Sequence, residues 1–302
     1  MRLVILAIIL LASINGESTA LRSLTTSANE LPRLLRSHTI MTTEREERAG
    51  GVVEKVSTVI KSTAAKLEQT KELKGYLKQQ QSADEVFGLL KLTDKTDNIL
   101  ANPKIKAWAK YIKMFNEKNP KDQVQMIDLL TARLGEDVAS RMIEAAKSLP
   151  SSKKLADKLQ TDQFRGWIDR ETTPGALLKI LKLDDSANIG NANFQALEKY
   201  VGVYNHRFKT KQLDFLEVFR RAYGGEKKLA KALIALPDTN ANAKELQRVL
   251  FTKWSKEWTR NSFLRNVLKR NEHNWFNHPY ANVFIHYSNF LTDQRKVRNA
   301  LQ

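Results

Sequence analysis

The sequence of 302 residues contains no cysteine. A disulfide scaffold, a thiol nucleophile and the usual structural zinc sites are therefore excluded. Long apolar runs are also missing, because the run from Leu3 to Ala12 is about half of the roughly 20 residues that a membrane-spanning helix needs. We find no convincing alternation of the kind that strands show. These absences leave a helical chain with no stable membrane anchor.

The N-terminus has the features of a secretory signal. A short basic start, Met1-Arg2, precedes the apolar run, and the small residues Ser18-Thr19-Ala20 suit a cleavage site. Residues 1–20 are therefore predicted to be a signal peptide. Secreted proteins usually contain disulfides, so a long chain without cysteine suggests that its working compartment is reducing.

The charge of the chain is strongly positive, at +17 at pH 7. Lys and Arg are spread along the predicted helices rather than collected in blocks, which is first of all typical of solvated helix faces. The same surface would also attract acidic partners, membranes or nucleic acid. Apolar residues make up 42% of the chain, which suits a folded protein.

Residues 21–51 are rich in Ser, Thr, Arg and Glu and lack apolar periodicity, so we expect a disordered leader. Two motifs lie in it, the first formed by Arg33, Leu34, Leu35 and Arg36, and the second by Glu46, Glu47 and Arg48. A signal, RLLR and EER in this order resemble the N-terminus of the RXLR-dEER effectors of Phytophthora-type oomycete plant pathogens. The resemblance implies secretion, delivery into plant cells, and a role of the motif residues in processing or translocation.

An internal repeat occupies the rest of the chain. The segment from Asn102 to Lys147 recurs 89 residues later, from Asn191 to Leu236. Within it, large side chains return every three or four residues, which is the spacing by which a helix buries one face. Matches at offsets of 91 and 87 residues extend the pattern, and the first of them pairs Trp167 with Trp258. We expect a structural core that contains Trp108, Tyr111, Trp167, Tyr200, Tyr223, Trp258, Phe284 and Tyr287.

A repeat of this period predicts stacked helical units. The order of the segments resembles the tandem WY and LWY domains of the same effectors, so the expected fold is all-α, an elongated array of helical-bundle repeats after the leader. Leu197 and Phe284 stand where Trp108 would recur, and each replacement keeps an apolar core side chain. The predicted units are 52–150, a first WY-like unit; 151–237, an LWY-like unit; and 238–302, a truncated C-terminal LWY-like unit.

No arrangement typical of catalysis is present in the sequence. The three C-terminal histidines, His273, His278 and His286, have only Glu272 as a nearby carboxylate, so we interpret them as surface or capping residues and expect no metal site. The acidic pair Glu136-Asp137 suits a helix N-terminus. Phosphate-binding loops and zinc motifs are absent. We therefore expect no enzyme activity, no catalytic residue and no cofactor.

Binding is the class of function that remains. Trp254 and Trp275 have no aromatic counterpart in the other units, so we predict that they are exposed anchors for a partner. The resemblance implies that this partner is a host plant protein, with a phosphatase among the possibilities, and that binding suppresses immunity in the host cytoplasm or nucleus. The alternative is a basic helical repeat that binds RNA or DNA. The predicted core position of Trp258 counts against it.

Overall fold

The computed structural model describes residues 65–92, 99–269 and 275–301. The chain forms two compact units, Met1–Lys71 and Glu72–Gln302, and of the first only 65–71 is described. The predicted signal peptide (1–20) and leader (21–51) lie outside the described residues. The same holds for the two motifs, at 33–36 and 46–48, and for 52–64 of the first predicted unit.

The described residues are helical and contain no β-strand, which confirms the predicted all-α fold. We number the helices α1 (65–78), α2 (Ala83–Leu89), α3 (Lys104–Lys118), α4 (Met126–Leu134), α5 (Glu136–Ala146), α6 (Pro150–Asp169), α7 (Pro174–Ile180), α8 (Asn193–Arg207), α9 (Phe215–Ala222), α10 (Glu226–Ile234), α11 (Ala241–Glu257), α12 (Arg260–Ser262) and α13 (Ala281–Ala300). Helix α12 continues as a π-helical segment, Phe263–Leu268. In this part of the chain no helix combines the length and apolarity that crossing a membrane requires.

Side-chain caps and glycines determine where several helices begin. Ser82 and Glu85 form a reciprocal capping box at the start of α2. Single side-chain caps precede four further helices, namely Thr173 before α7, Asp214 before α9, Asn240 before α11 and Thr259 before α12. The turns before α5 and α10 instead use glycine at positive φ, with Gly135 at 84° and Gly225 at 115°. Side chains rarely adopt this conformation, so glycine is required at both turns.

The apolar side chains form two core clusters. The first is built around Trp108 and Tyr111 of α3, and the second around Trp167 of α6 and Tyr200 of α8. Helix α6 belongs to both, because its N-terminal half contributes Leu159 to the first cluster and its C-terminal half contributes Trp167 to the second. The predicted unit boundaries at 150 and 237 stay predictions, and α6 shows that the two cores share a helix.

Three buried tyrosines each bond the helix that carries them, α3, α8 or α13, to the segment that follows an earlier helix. Tyr200 Oη donates to the Thr172 carbonyl at 2.6 Å, and Tyr287 Oη donates to the Trp258 carbonyl at 2.5 Å. Tyr111 makes the same contact with the Gln81 carbonyl. Burial raises the pKa of Tyr200 and raises that of Tyr287 to about 12. Both hydroxyls therefore stay protonated and remain donors at neutral pH.

Two asparagines fix the loops that follow α3 and α8. The Asn116 side chain accepts from the Val124 N–H at 2.9 Å and donates to the Val124 carbonyl at 2.8 Å. Asn205, 89 residues later, makes the same pair of bonds with Leu213, at 2.9 and 2.8 Å. Each side-chain amide supplies one donor and one acceptor, so it satisfies both the backbone N–H and the carbonyl of one loop residue and holds the loop against the helix.

A triad of aromatic rings recurs with nearly identical geometry. In each copy, a Phe and a Trp three residues later on one helix pack against a Tyr of the next long helix. The Phe–Trp centroids are 5.5 and 5.3 Å apart, and the Trp–Tyr rings meet edge to face at 5.3 and 5.6 Å, with angles of 88° and 87°. The two triads are Phe164, Trp167 and Tyr200, and Phe251, Trp254 and Tyr287.

This geometry corrects two expectations from the sequence. The counterpart of Trp167 is Trp254, at an offset of 87 residues, and not Trp258. Trp254 is only 2% exposed, so the prediction that it is an exposed anchor was wrong. The sequence places the change from an offset of 91 residues to one of 87 after Trp258. The structure places it before α11, because the two ring triads are already 87 residues apart. Trp258 lies beyond the end of α11 and is partly buried against the same cluster.

The remaining predicted core residues are buried to different degrees. Phe284 and Tyr287 of α13 are buried, as are Trp108, Tyr111, Trp167 and Tyr200. Tyr223 is only partly buried, and its hydroxyl donates to the Leu183 carbonyl at 3.0 Å. Its ring packs beside that of Phe219. Tyr223 therefore closes the edge of the second core.

Candidate interaction surface

Glu136 and Glu226, which follow the glycines at positive φ, have structural roles. Glu136 accepts from the Trp167 indole N–H at 2.6 Å and from Arg170 at 2.8 Å. Glu226 accepts from the Trp254 indole N–H at 2.6 Å and from Lys253 at 2.7 Å. Burial would raise the pKa of Glu226, but the bonds from Lys253 and Trp254 outweigh it, and the pKa is lowered. An ionised carboxylate held in this way acts as a helix-start anchor rather than as a general acid.

Buried charges also join the units at α5. Glu144 is bonded by Lys147, the residue that follows the end of α5, at 3.3 Å and by Lys199 of α8 at 2.7 Å. Asp137 pairs with Lys182 at 3.1 Å, and its backbone carbonyl accepts from the buried Asn193 amide at 3.0 Å. These acidic groups hold neighbouring helices together and leave no free carboxylate pair at this junction.

The histidines that the structure describes do not converge. His278 accepts at Nδ1 from the Tyr280 N–H at 3.2 Å, which is a local turn contact ahead of α13. His273 lies outside the described residues. Within the described part of the chain, no group of three His, Asp or Glu side chains is placed to hold a metal ion.

Helix α9 stands as a ridge between two surface grooves. The groove towards α7 has a volume of about 550 Å³ and an apolar floor of Ala176, Leu213 and Val218, with Lys179 and Arg221 among its lining residues. Basic side chains over an apolar floor suit the burial of a partner's apolar side chains beside its acidic ones.

The groove on the other side of α9 faces α11 and has a volume of about 620 Å³. Its α11 wall carries Arg248, Val249, Lys253 and Lys256, and Val249 is 36% exposed. The grooves on both sides of α9 are therefore lined by basic side chains beside apolar ones. We refer to α9 with its two grooves as the α9 face.

The corresponding groove in the first unit, between α4 and α6, is different. It measures about 210 Å³, and its charged lining residues are Asp128, Glu136, Asp162 and Arg170, whereas those of the α9–α11 groove are Asp214, Glu217, Arg248, Lys253 and Lys256. Gln163 also lines it, is 4% exposed, and has no hydrogen-bond partner for either amide atom. Equivalent places on the repeats thus share their cores and differ in the charge of their surfaces.

The second predicted anchor, Trp275, is partly buried. Its ring packs edge to face against Phe284 of α13, with centroids 4.7 Å apart. The neighbouring Phe276 is 61% exposed. Phe276 is one of the aromatic residues that the nucleic-acid alternative offers for base stacking.

Comparison with known proteins gives concordant results. Residues 1–118 match the family model described as RXLR phytopathogen effector protein, avirulence activity. The RxLR effector protein PSR2 of Phytophthora sojae is 29% identical over 205 residues, which cover 66% of this chain and 30% of that protein. PSR2 of Phytophthora infestans is 29% identical over 224 residues, which cover 71% and 29%. The crystal structure of PcRxLR12 is similar with a TM-score of 0.60 at 26% identity, over 88% of this chain and 64% of that one.

The chain is therefore similar to RXLR effectors in its first 118 residues, along about two thirds of its length and in its fold. The resemblance stated from the sequence is confirmed. The effector spans about three tenths of the length of the two PSR2 proteins. The family match includes the predicted motif residues 33–36 and 46–48, which lie outside the described part of the effector, and it ends at residue 118, where α3 ends. The role of these motif residues stays a prediction.

Proposed function

We propose that this effector binds a host plant protein through the α9 face and thereby suppresses plant immunity, without catalysing a reaction. RXLR effectors are secreted and delivered into host cells, and we place this activity in the host cytoplasm or nucleus. A tandem of WY- and LWY-like units would serve as the scaffold. The family resemblance includes a phosphatase among the host partners to be tested.

The observation that supports this proposal is that the repeated segments have similar buried residues but different surface residues. Aromatic residues that recur between units, such as Trp167 and Trp254, are buried. The α4–α6 groove has the acidic Asp162 on α6, whereas the α9–α11 groove has the basic Arg248, Lys253 and Lys256 on α11. Binding specificity therefore has to come from the exposed residues, and the α9 face offers apolar and basic side chains together.

The nucleic-acid alternative loses much of its support. Stacking of bases requires accessible aromatic faces. Of the four aromatic residues considered for stacking, Trp254 is 2% exposed, Trp258 and Trp275 are partly buried against the second core, and Phe276 alone is largely exposed, at 61%. The positive charge remains, but many basic side chains are paired with carboxylates, as Lys253 is with Glu226 at 2.7 Å.

Purification of the tagged effector from plant tissue tests the proposal. The native chain should retain a host protein in stoichiometric amount after nuclease treatment. The double variant Val249→Asp/Lys256→Glu should lose that protein, because it places two acidic groups in the α9–α11 groove. Lys154→Glu, which reverses one charge on the exposed face of helix α6 as Lys256→Glu does on helix α11, is the control and should retain it.

Two results would count against the proposal. Release of the bound material by nuclease, with a steep dependence on salt, would support the RNA or DNA alternative. A host protein retained equally by the double variant and the control would exclude the α9 face. An enzyme would be indicated if one polar substitution abolished the effect in plants while folding and host-protein binding stayed intact.

A further inference from the structure

A cleft of about 590 Å³ lies between the end of α11, the start of α12 and the outer half of α13. Three arginines, Arg260, Arg295 and Arg298, line it, and the lining contains no carboxylate. Trp258 and Leu291 supply an apolar part of the wall. The cleft is separate from the α9 face, so a role for the cleft is independent of the function proposed for that face.

The three arginines are not neutralised within the described part of the chain. Most arginines elsewhere in it form ion pairs with Asp or Glu, namely Arg133, Arg141, Arg165, Arg170, Arg220, Arg221 and Arg248. From residue 253 onwards the sequence has only three acidic residues, Glu257, Glu272 and Asp293. Asp293 is paired with Lys296, 3.6 Å away. Positive charge is therefore concentrated at the cleft.

The cleft is also partly fixed in shape. The Arg260 guanidinium donates to the Ser288 carbonyl at 3.3 Å and to Thr292 Oγ1 at 3.0 Å, which ties α12 to α13. Leu291, Arg295 and Arg298 follow one another at intervals of four and three residues on α13, so they share one side of that helix. A guanidinium held in position loses less entropy when it binds an anion.

We propose that this cleft binds a peptide segment of a protein partner that carries closely spaced acidic side chains next to an apolar one. The arginines would pair with the carboxylates through charge-assisted hydrogen bonds. Trp258 and Leu291 would cover the apolar side chain. The amides and hydroxyls of Ser255, Asn261 and Gln294, which also line the cleft, can both donate to and accept from a peptide backbone.

The same features favour a peptide over single-stranded nucleic acid. A nucleic-acid strand needs a basic track that follows its phosphates and open aromatic faces for its bases. Here the arginines line one cleft rather than a long track, and the Trp258 ring is partly covered by the core. Side-chain amides that match peptide groups would have no regular partner along a sugar–phosphate backbone.

The test measures binding of fluorescein-labelled synthetic peptides to the purified chain by fluorescence anisotropy at physiological ionic strength. One peptide places two Asp-Glu pairs around a Leu, and the other has Asn and Gln in place of Asp and Glu. A labelled oligouridine of similar length is the third probe. The variants are Arg295→Gln and Arg298→Gln. Lys296→Gln is the matched control, since it removes one positive charge from the same helix at a residue that does not line the cleft.

We expect the acidic peptide to bind at least tenfold more tightly than its amide analogue and the oligouridine. Each arginine variant should weaken it about tenfold, as expected for the loss of one charge-assisted contact, whereas Lys296→Gln should change it less than twofold. Circular dichroism should show unchanged helix content, since Arg295 and Arg298 are exposed. Equal losses in all three variants would mean unspecific attraction and would overturn the proposal. Tighter binding of the oligouridine would overturn it in favour of nucleic acid.

Discussion

Replacement of Trp254 by Ala tests whether this residue stabilises the core or serves as an anchor for a partner. The indole is 2% exposed and lies 5.1 to 5.6 Å, between ring centroids, from Phe251, Phe263 and Tyr287. Its N–H donates to the Glu226 carboxylate at 2.6 Å. Removal of a buried Trp costs about 3 to 5 kcal/mol. We expect the upper part of this range, because a hydrogen bond to a charged acceptor is lost together with the ring contacts.

The loss of stability caused by Trp254→Ala should at first affect only the helices around the replaced side chain. Total stabilities of folded domains are about 5 to 15 kcal/mol, and stacked helical units depend mainly on contacts with their neighbours. Helices α11 to α13 should therefore unfold at a lower urea concentration than α3 to α5. Circular dichroism would follow the loss of helix, and amide hydrogen exchange would show which helices are affected.

Trp254→Phe is the companion variant, because it keeps a six-membered aromatic ring and removes the indole N–H together with the five-membered ring that carries it. Lys253 still pairs with Glu226, so the carboxylate is not left alone, and the expected cost is about 1 to 3 kcal/mol. The reasoning would be refuted if Trp254→Ala changed stability by less than about 1 kcal/mol while it abolished binding of a host protein. That outcome would restore the exposed anchor predicted from the sequence.

Three further predictions concern polar groups. Gln163→Leu should stabilise the chain by about 1 to 2 kcal/mol in urea unfolding, because a buried amide without partners is removed; Gln160→Leu, which breaks bonds to Lys147 and Glu144, should destabilise it. Hydrogen bonds from neighbouring arginines hold the pKa of Glu217 at about 2, below its ordinary 4.5, so its stabilisation is present above pH 4.5 and is lost towards pH 2. Glu217→Gln should therefore be less stable at pH 7, and the difference from the native chain should vanish near pH 2. Asn205→Ala should cost about 1 to 3 kcal/mol and speed amide exchange at Leu213, whereas unchanged exchange there would contradict the role given to Asn205.

Much of the helical core follows from local pattern. Trp108, Tyr111, Tyr200 and Tyr287 were expected in the core because large side chains at intervals of three and four residues lie on one side of a helix. The structure buries all four. The recurrence of Asn116 at Asn205 is equally visible in the sequence, but its purpose is not. Only the folded loop shows that each amide closes on a backbone group eight residues away.

The candidate binding surfaces could not be inferred in the same way. Arg260 and Arg295 are far apart in sequence, and the basic residues of this chain are spread along every helix. Nothing in the sequence distinguishes an arginine that is paired with another helix, such as Arg133 with Asp84 at 2.7 Å, from one that is not. That distinction depends on which helices become neighbours.

The sequence by itself determined the all-α fold, the resemblance to RXLR effectors and most of the buried rings, because helical periodicity and short motifs are local properties. The tertiary structure decided the register between units. Trp254 and Trp258 are four residues apart, so on one continuous helix they would share a face and either could match Trp167. Helix α11 ends at Glu257, and the Tyr287 hydroxyl binds the Trp258 carbonyl. The end of α11 and this hydrogen bond together place Trp254 in the core and leave Trp258 at the edge of the cleft.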